Sequence, residues 1–288
     1  MSTLPKLPPC GPLVAAALRE DLGRGDLTTR LCVGAGARAQ AVLLARVPGV
    51  AAGLPIFAAV FRRLDPRVRV RLLAPEGRAF RAGAVLARLQ GPARALLTGE
   101  RVALNFAQRL CGVATLTRRF VDAARRRSAG VSLLDTRKTT PLLRALEKYA
   151  VACGGGTNHR MRLDSAVLIK DNHLKAAGSV AAAVALARRG GLPVEVEVED
   201  LAELDQALDA GADLVLLDNF SPALLRRAVA RVRRFNAGAR RRVLTEASGG
   251  VTLASVGACA ASGVDSISVG ALTHSAPALD LSMEFEVR

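Results

Sequence analysis

Val194-Glu195-Val196-Glu197-Val198-Glu199 is a strictly alternating segment of valine and glutamate. Because side chains alternate between the two faces of a β-strand, the valines share one face and the glutamates share the other. In a parallel sheet, the outer face packs against helices and must be apolar. The pattern therefore predicts a strand that turns its glutamates toward the inside of the fold.

Charge repulsion within this strand indicates what surrounds it. Glutamates two residues apart lie about 7 Å from each other, and each such pair repels by roughly 2 kcal/mol at an effective dielectric constant near 20. This face is stable only beside cations, either lysine and arginine side chains or a metal ion. The alternative is an exposed edge strand whose glutamates lie in water.

Further apolar strands occur in the second half of the chain, and segments with helical apolar spacing separate them. Parallel strands need crossover connections, so this alternation is typical of an α/β fold. The strands number fewer than the eight of a regular barrel. No dinucleotide-type glycine fingerprint follows the first of them, so we expect an irregular, incomplete α/β barrel. The predicted strands are 131–138, 166–171, 193–199, 214–218, 243–248 and 266–270, and the predicted helices are 141–153, 179–189, 201–210, 222–235 and 252–262.

The first 115 residues follow a different pattern, with few helices and alternating, half-exposed strands. We expect a smaller α+β sandwich domain over residues 1–115, with a disordered tail at 1–12, ahead of a catalytic barrel over 116–288. The last stretch, about 15 residues, is expected to pack back on the first domain. The predicted elements are a helix at 12–22, strands at 40–47, 67–73 and 83–91, and a long helix at 93–126 with a break near Gly112.

Composition excludes several classes of protein. The net charge is +16, and arginine supplies most of the 41 basic residues. Aromatic residues make up only 3% of the chain, with one Tyr and no Trp, so stacking platforms for single strands are scarce. We expect no nucleic-acid partner. A non-enzymatic nucleic-acid binder stays an alternative, and it predicts steeply salt-dependent retention on DNA.

The chain also lacks the features of membrane and disulfide-rich proteins. No apolar run approaches the roughly 18 residues that cross a bilayer, and the N-terminus lacks the apolar core of a signal peptide. The five cysteines are scattered, without a CxxC pair, which fits neither a disulfide framework nor a zinc site. We expect a cytoplasmic protein with no membrane partner.

Polar and charged residues cluster at the C-terminal ends of the predicted strands, where barrel enzymes carry their chemistry. His159-Arg160 follows the glycine run 154–156, in a loop expected near the same rim. Guanidinium groups match carboxylates and phosphates bidentately, so the cations predict a pocket for a polyanion. The strand-end residues are Asp135, Arg137, Lys138, Lys170, Asp171, Glu197, Asp218, Glu246 and Ser248.

The last two predicted strands end in small residues. Ser248-Gly249-Gly250 precedes a helix, and Gly270 ends the final strand. Small residues allow backbone N–H groups to approach a phosphate, and a helix N-terminus adds partial positive charge. Both segments are therefore candidate phosphate cradles, although SGG also serves as an ordinary turn.

Many strings in one order resemble the quinolinate phosphoribosyltransferase family, also called carboxylating nicotinate-nucleotide pyrophosphorylase. The resemblance runs from about Glu20 to the C-terminus. Its strings are GERVALNFAQRLCGVAT (99–115), DTRKTTP (135–141), LEKYAV and CGGGTNHR (within 146–160), IKDNH (169–173), VEVEVE (194–199), LLDNF (216–220), EASGG (246–250) and SVGALTHS (268–275).

The resemblance implies transfer of phosphoribosyl from phosphoribosyl pyrophosphate to quinolinate, with Mg2+, giving nicotinate mononucleotide, pyrophosphate and CO2. It also implies a homodimer or a dimer-built hexamer in which Arg101 is donated by the neighbouring subunit.

The resemblance also implies a role for each matching residue. Lys138, Lys170, Glu197 and Asp218 would be catalytic. Arg101, Arg137, His159, Arg160 and Lys170 would hold the quinolinate carboxylates, and Lys138 would contact the pyrophosphate side. Glu197 and Asp218 would serve the ribose hydroxyls and Mg2+, and Ser248, Gly249, Gly250 and Gly270 would cradle phosphate groups.

Several points stay open at this stage. Leu142 stands where the family often has glycine, so the local turn could differ. The roles of Glu195 and Glu199 are undetermined: they bind metal, pair with lysines or line the wall. A relative acting on another acceptor, such as nicotinate, or a diverged pyrophosphorylase of molybdenum-related operons, is an alternative function. A dicarboxylate acceptor needs two basic clusters, and Arg101 with His159-Arg160 would supply the second.

Overall fold

The computed structural model describes residues 4–239 and 241–287. The chain divides into two compact units that interleave along the sequence. One comprises Met1–Arg118, Pro141–Gly155 and Ser275–Arg288, and the other comprises Arg119–Thr140 and Gly156–His274. Residues 1–3 of the predicted N-terminal tail, and Arg288, lie outside the described residues.

Both strands and α-helices occur along the whole length of the described chain. The strands are β1 (Arg38–Ala45), β2 (Gly49–Val50), β3 (Arg69–Leu72), β4 (Ala79–Phe80), β5 (Val85–Pro92), β6 (Ser132–Leu134), β7 (Val167–Ile169), β8 (Val194–Val198), β9 (Leu214–Asp218), β10 (Leu244–Ser248), β11 (Ser266–Ser268) and β12 (Leu281–Val287). The α-helices are α1 (Gly11–Leu22), α2 (Leu27–Cys32), α3 (Leu54–Leu64), α4 (Ala93–Arg125), α5 (Arg144–Cys153), α6 (Asp171–Ala177), α7 (Val180–Ala187), α8 (Leu201–Ala210), α9 (Pro222–Gly238), α10 (Val256–Ala261) and α11 (Ala271–His274).

The first unit contains an antiparallel sheet in the order β12-β1-β5-β3. β1 is central, and alternate residues along it are buried, because one face of the sheet lies on the core. Helix α3 contributes buried apolar side chains to the core of this unit, and its Phe57 and Phe61 meet edge to face with ring centroids 5.2 Å apart. The carboxylate of Glu76 caps α3 by accepting hydrogen bonds from the backbone N–H groups of Gly53 (2.7 Å) and Leu54 (3.1 Å).

The long helix α4 is continuous, so the predicted break near Gly112 is wrong. Glycine is needed at this position for a different reason. A Cβ atom on Gly112 would overlap the carbonyl oxygen of Pro277 and lie 3.4 Å from Cα of Ala278. The missing side chain therefore allows the segment before β12 to pack directly against the helix backbone.

The second unit is built on a parallel sheet in the order β6-β11-β10-β9-β8-β7. Helices connect its strands, as the alternating pattern predicts. β6 and β7 stand at the two ends of this order, and no ladder joins them within the described residues. The predicted α/β class is confirmed, with an incomplete parallel barrel and a separate antiparallel sheet, but the first unit is about as large as the second. None of the helices in the described part of the chain could span a membrane.

Candidate active site

A cavity of about 410 Å³ lies at the C-terminal ends of the parallel strands in the second unit. In α/β folds this end of the sheet is where ligands bind. Its walls combine cations, carboxylates and small residues. The lining residues are Thr136, Arg137, Lys138, His159, Arg160, Leu168, Lys170, Glu197, Leu216, Asp218, Glu246, Ser248, Gly249 and Ser268.

Most of the residues singled out from the sequence lie around this one cavity. Gly250 and Gly270 are not among its lining residues. Arg101 belongs to the first unit, where it is exposed on α4. The predicted residues that do line the cavity are Arg137, Lys138, His159, Arg160, Lys170, Glu197, Asp218, Ser248 and Gly249.

The alternating strand β8 has the predicted orientation. Val194, Val196 and Val198 are fully buried. On the opposite face Glu195 is buried at 5% exposure, and Glu197 is half-buried in the cavity wall. Glu199 lies just past the strand and is exposed. The acids therefore point inward, and their exposure increases toward the mouth of the cavity.

Lys170 neutralises Glu197. It follows the last residue of β7, where Ile169 pairs with Val196, so the two side chains come from neighbouring strands. The ammonium group forms an ion pair with the Glu197 carboxylate. Lys170 is also the N-cap residue of α6, and its backbone N–H donates to Nδ1 of His173 at 2.9 Å. The predicted need for a cation beside the glutamates is met here.

The loop carrying His159 and Arg160 is anchored by Asp135, which is fully buried just after β6. The Asp135 carboxylate accepts hydrogen bonds from Nδ2 of Asn158 (2.7 Å) and the backbone N–H of His159 (2.9 Å). Arg160 donates from Nη1 to the carbonyl oxygen of Ala166 at 3.1 Å. Burial and the neighbouring charge of Arg137 lower the pKa of the Arg160 guanidinium, while Glu195 acts in the opposite direction.

The sequence predicts Glu246 only as a polar strand end, yet it lines the cavity at 1% exposure. Burial, followed by the charge of Glu195, raises its pKa to about 7, against an ordinary 4.5. The sequence could have indicated this position, because Glu246 is two residues before Ser248 on β10. Residues two apart on a strand face the same side, so a cavity-facing Ser248 places Glu246 on that side too.

Asn219 and Gly249 shape the small-residue wall between β9 and β10. Both have positive φ, 56° and 90°. The backbone N–H of Asn219 donates to the carbonyl oxygen of Ser248 at 2.9 Å, and its Nδ2 donates to Asp218 at 2.7 Å. A Cβ atom on Gly249 would overlap the side chain of Asn219 and lie 2.7 Å from its backbone nitrogen. Only glycine fits at position 249.

Lys138 is held beside Gly270. Its carbonyl oxygen accepts a hydrogen bond from Oγ1 of Thr273 at 2.8 Å. A Cβ atom on Gly270 would come within 3.2 Å of Cδ of Lys138 and 3.0 Å of Nε2 of His274. The glycine therefore leaves room for the lysine stem.

Two sets of groups near this cavity have metal-binding chemistry. Glu197 lies one residue before the end of β8, Asp218 ends the neighbouring strand β9, and both line the cavity. Mg2+ usually takes one or two carboxylates and completes its shell with water and substrate phosphates, so this pair fits Mg2+. The other set is His159, Glu195 and Glu246, whose ligand atoms lie within 4.8 Å of one another.

Comparison with known proteins gives a consistent result over the whole chain. A cyanobacterial protein from Synechocystis, named probable nicotinate-nucleotide pyrophosphorylase [carboxylating], is 44% identical over 287 residues, covering 99% of this chain and 95% of its own. The human nicotinate-nucleotide pyrophosphorylase [carboxylating] is 44% identical over 276 residues, 94% of this chain and 90% of its own. The crystal structure of NadC from Streptococcus pyogenes superposes with a TM-score of 0.91 at 39% identity, covering all of both chains.

Family models give the same assignment in two parts. The N-terminal domain model of quinolinate phosphoribosyl transferase matches residues 26–111. The C-terminal domain model of the same family matches residues 113–284, which include every residue that lines the cavity. The chain belongs to the quinolinate phosphoribosyl transferase family.

Proposed function

We propose that this protein transfers the phosphoribosyl group of phosphoribosyl pyrophosphate to quinolinate. The products are nicotinate mononucleotide, pyrophosphate and CO2. The observation that carries the proposal is the composition of the cavity, which combines a cationic wall with the carboxylates of Glu197 and Asp218. This is the arrangement needed to bind two anionic substrates and to stabilise a positively charged sugar between them. The names of the relatives agree with it.

The acceptor is held by the basic wall. Arg137 and Arg160 present guanidinium groups, which match carboxylates bidentately. His159 and Lys170 line the same wall. Quinolinate carries two carboxylates on adjacent ring carbons, so a site with several cations favours it over nicotinate, which carries one. The ring nitrogen must then face the ribose.

The donor occupies the side lined by Lys138, Ser248 and Gly249. Gly249 and Gly250 both have positive φ (90° and 54°), and their lack of side chains would allow phosphate oxygens to approach the backbone N–H groups. Lys138 balances the charge of the pyrophosphate. Gly270 leaves room for that lysine stem.

The chemistry needs little beyond charge and orientation. The bond from C1′ to the pyrophosphate oxygen breaks as the pyridine nitrogen bonds to C1′, and positive charge builds on the sugar ring. Glu197 and Asp218 stabilise this charge because they are fixed carboxylates in a partly desolvated site. The carboxylate beside the ring nitrogen then leaves as CO2. Its electron pair stays on the ring carbon, next to the positive nitrogen, and the carbon takes up a proton.

We infer that Mg2+ is the cofactor, held by Glu197 and Asp218 together with pyrophosphate oxygens. When bound, it would neutralise the leaving pyrophosphate. Lys170 forms an ion pair with Glu197 at the same wall, where its ammonium group would also be within the acceptor side of the cavity.

We further propose a homodimer, or a hexamer built from dimers, in which Arg101 reaches the neighbouring subunit's cavity. Arg101 is exposed on α4. A cation that reaches a neighbouring subunit must be exposed when its own chain is considered alone. We also propose that the protein works in the cytoplasm. All five cysteines are free thiols, which suits a reducing compartment.

The test is a paired assay of the purified protein with phosphoribosyl pyrophosphate and Mg2+. One reaction contains quinolinate, the other nicotinate, and nicotinate mononucleotide and CO2 are measured in both. We expect turnover with quinolinate, release of CO2 equal to product, and loss of activity on chelation that Mg2+ restores. Turnover of nicotinate in place of quinolinate would overturn the proposal. Absence of any product, with steeply salt-dependent binding to DNA, would favour a nucleic-acid binder.

A further inference from the structure

Beneath the cationic wall lies a buried cluster of His159, Glu195 and Glu246. Nε2 of His159 is 3.3 Å from Oε2 of Glu195 and 3.7 Å from Oε1 of Glu246. The two glutamates are 5% and 1% exposed. Burial of a carboxyl group costs free energy unless hydrogen bonds or opposite charges compensate it. The chemistry proposed above does not use Glu195 or Glu246 directly.

The protonation of His159 follows from its other ring nitrogen. The backbone N–H of Arg160 donates a hydrogen bond to Nδ1 at 2.7 Å. Nδ1 is therefore an acceptor, and the ring hydrogen is assigned to Nε2, the atom that faces the two carboxylates. Glu195, at 3.3 Å, is within hydrogen-bond distance of this N–H group.

This tautomer does not suit a metal centre at the cluster. A metal-bound histidine donates from its free nitrogen and binds the metal through an unprotonated one. In His159, Nδ1 accepts a hydrogen bond from the backbone N–H of Arg160. The ring hydrogen is therefore on Nε2, the nitrogen that faces the carboxylates. The three groups are a hydrogen-bonded and electrostatic support, although their ligand atoms lie within 4.8 Å of one another.

The cluster of His159, Glu195 and Glu246 stabilises the loop that carries His159 and Arg160. Carboxylates from three separate strands or strand ends hold His159: Asp135 takes its backbone N–H, and Glu195 and Glu246 face its ring. The ring in turn holds the backbone of Arg160. Arg160 and Arg137 line the same wall, where their like charges oppose each other. The negative charge of Glu195 offsets this opposition.

We propose that Glu195 is a positioning residue for the acceptor: it fixes the His159 ring by accepting from Nε2–H, and thereby fixes Arg160 for a quinolinate carboxylate. The inference rests on the proposed function and adds to it a residue that does not line the cavity. It also answers the open question about Glu195. Glu195 and Glu197 lie on the same strand face, but the first supports the acceptor site and the second faces the ribose.

The experiment compares Glu195→Ala with Glu195→Gln. The amide oxygen of Gln can still accept from Nε2–H, whereas Ala cannot. We expect Glu195→Ala to raise KM for quinolinate by roughly tenfold or more, since displacing a binding group by about 1 Å can cost a hundredfold. KM for phosphoribosyl pyrophosphate should change little, and Glu195→Gln should recover most of the quinolinate affinity. Equal changes in both KM values, or no change in either, would overturn the inference.

A matched control separates positioning from loss of stability. Val198→Ala removes a fully buried side chain from the opposite face of the same strand. It should lower the thermal midpoint, as large-to-small core changes do, and leave the ratio of the two KM values as in the wild type. If Val198→Ala shifts that ratio as Glu195→Ala does, the effect is general and the inference is wrong.

A second measurement does not depend on activity. The chain has three histidines, so 15N NMR of histidine-labelled protein, with His159→Asn to assign the signal, reports the tautomer of His159. We expect a protonated Nε2 and an unprotonated Nδ1 in the wild type, and mixed tautomers in Glu195→Ala. A protonated Nδ1 in the wild type would refute the positioning role. If quinolinate is not turned over but the tautomer is as expected, the proposed function fails and the support of His159 stands.

Discussion

Lys170 and Glu197 form an ion pair between the adjacent parallel strands β7 and β8, at the wall of the proposed active site. The carboxylate is half-buried, so its charge is only partly screened by water. Glu197→Gln keeps the shape of the side chain and removes this charge. We expect kcat to fall on the order of a hundredfold, which is typical for loss of one preorganised charge-stabilising group. Steady-state kinetics at saturating substrates measure it.

The residue that follows strand β8 supplies the control for that prediction. Glu199 lies two residues further on and is exposed to solvent. Glu199→Gln removes an equal charge from the same protein, and we expect kcat close to the wild-type value. If both variants lose activity equally, the long-range field of the protein rather than the position of Glu197 stabilises the transition state.

Gly249 is expected to tolerate no side chain. A Cβ atom there would overlap Asn219, and the φ of 90° is strained for any L-residue. We expect Gly249→Ala to lower the free energy of unfolding by about 2 kcal/mol and to raise KM for phosphoribosyl pyrophosphate. At Gly250, where φ is 54° and nothing lies within 4 Å of an added Cβ, Ala should cost about 1 kcal/mol. Urea titrations of both variants measure the difference, and equal losses would contradict the steric argument.

The parts of the fold that could be predicted depend on local periodicity. The alternation of β8 is set by its own residues, so both its orientation and its apolar outer face follow from the sequence. β9 and α8 match their predicted bounds because an apolar run and an amphipathic run end at clear polar signals, such as Asp200, which caps α8 with its side chain.

The parts that could not be predicted depend on tertiary contacts. Helix α3 is a separate case: it is not among the predicted elements, although its apolar residues are concentrated on one buried face and the sequence therefore carries an amphipathic signal. The glycine inside α4 resembles a helix breaker, and only the close approach of Pro277 explains it. Likewise, the cluster of His159, Glu195 and Glu246 joins distant segments of the chain. No spacing rule connects them.

Leu142 has a left-handed backbone conformation, the region of φ that favours glycine. Its φ is 66°, which is strained for leucine, and its side chain is 90% exposed. Side-chain packing therefore does not compensate the backbone strain. Leu142→Gly should stabilise the protein by about 0.5–1 kcal/mol, the relief of left-handed strain less the added entropy of the unfolded chain. Leu163 is the control, because it is 68% exposed and is not among the described residues with positive φ. Leu163→Gly should not stabilise; if it does, loss of exposed apolar surface explains both results.

The stability of the protein should depend on pH through Glu246. Burial raises the pKa of its carboxyl from 4.5 to about 7, so the folded state retains a proton that the unfolded chain has already released. This contribution to stability is present below pH 4.5 and is lost as pH rises toward 7, by about 3 kcal/mol in total. Glu246→Gln cannot titrate. We expect the free energy of unfolding of the wild type to fall relative to Glu246→Gln between pH values near 5 and near 8.

Urea unfolding at both pH values measures that difference. The comparison with Gln cancels the titration of all other carboxyl groups, provided that they are unaffected by the change. A difference between the two proteins that is constant with pH, or that grows in favour of the wild type at high pH, would show that Glu246 is ionised at neutrality in the folded state. Its burial would then be compensated by cations, and the proton would lie elsewhere in the cluster.

Sharing of the active site between subunits can be tested by mixing two inactive variants. Arg101→Ala leaves the chain's own cavity intact, because Arg101 is exposed on α4 and does not line it. Lys170→Ala damages the cavity and leaves Arg101 in place. If Arg101 acts on the partner, a mixed dimer contains one complete site and one doubly damaged site. After random exchange at equal amounts, half of the dimers are mixed, so about one quarter of wild-type activity should return. Verified mixed dimers without recovery would place Arg101 outside the partner's site.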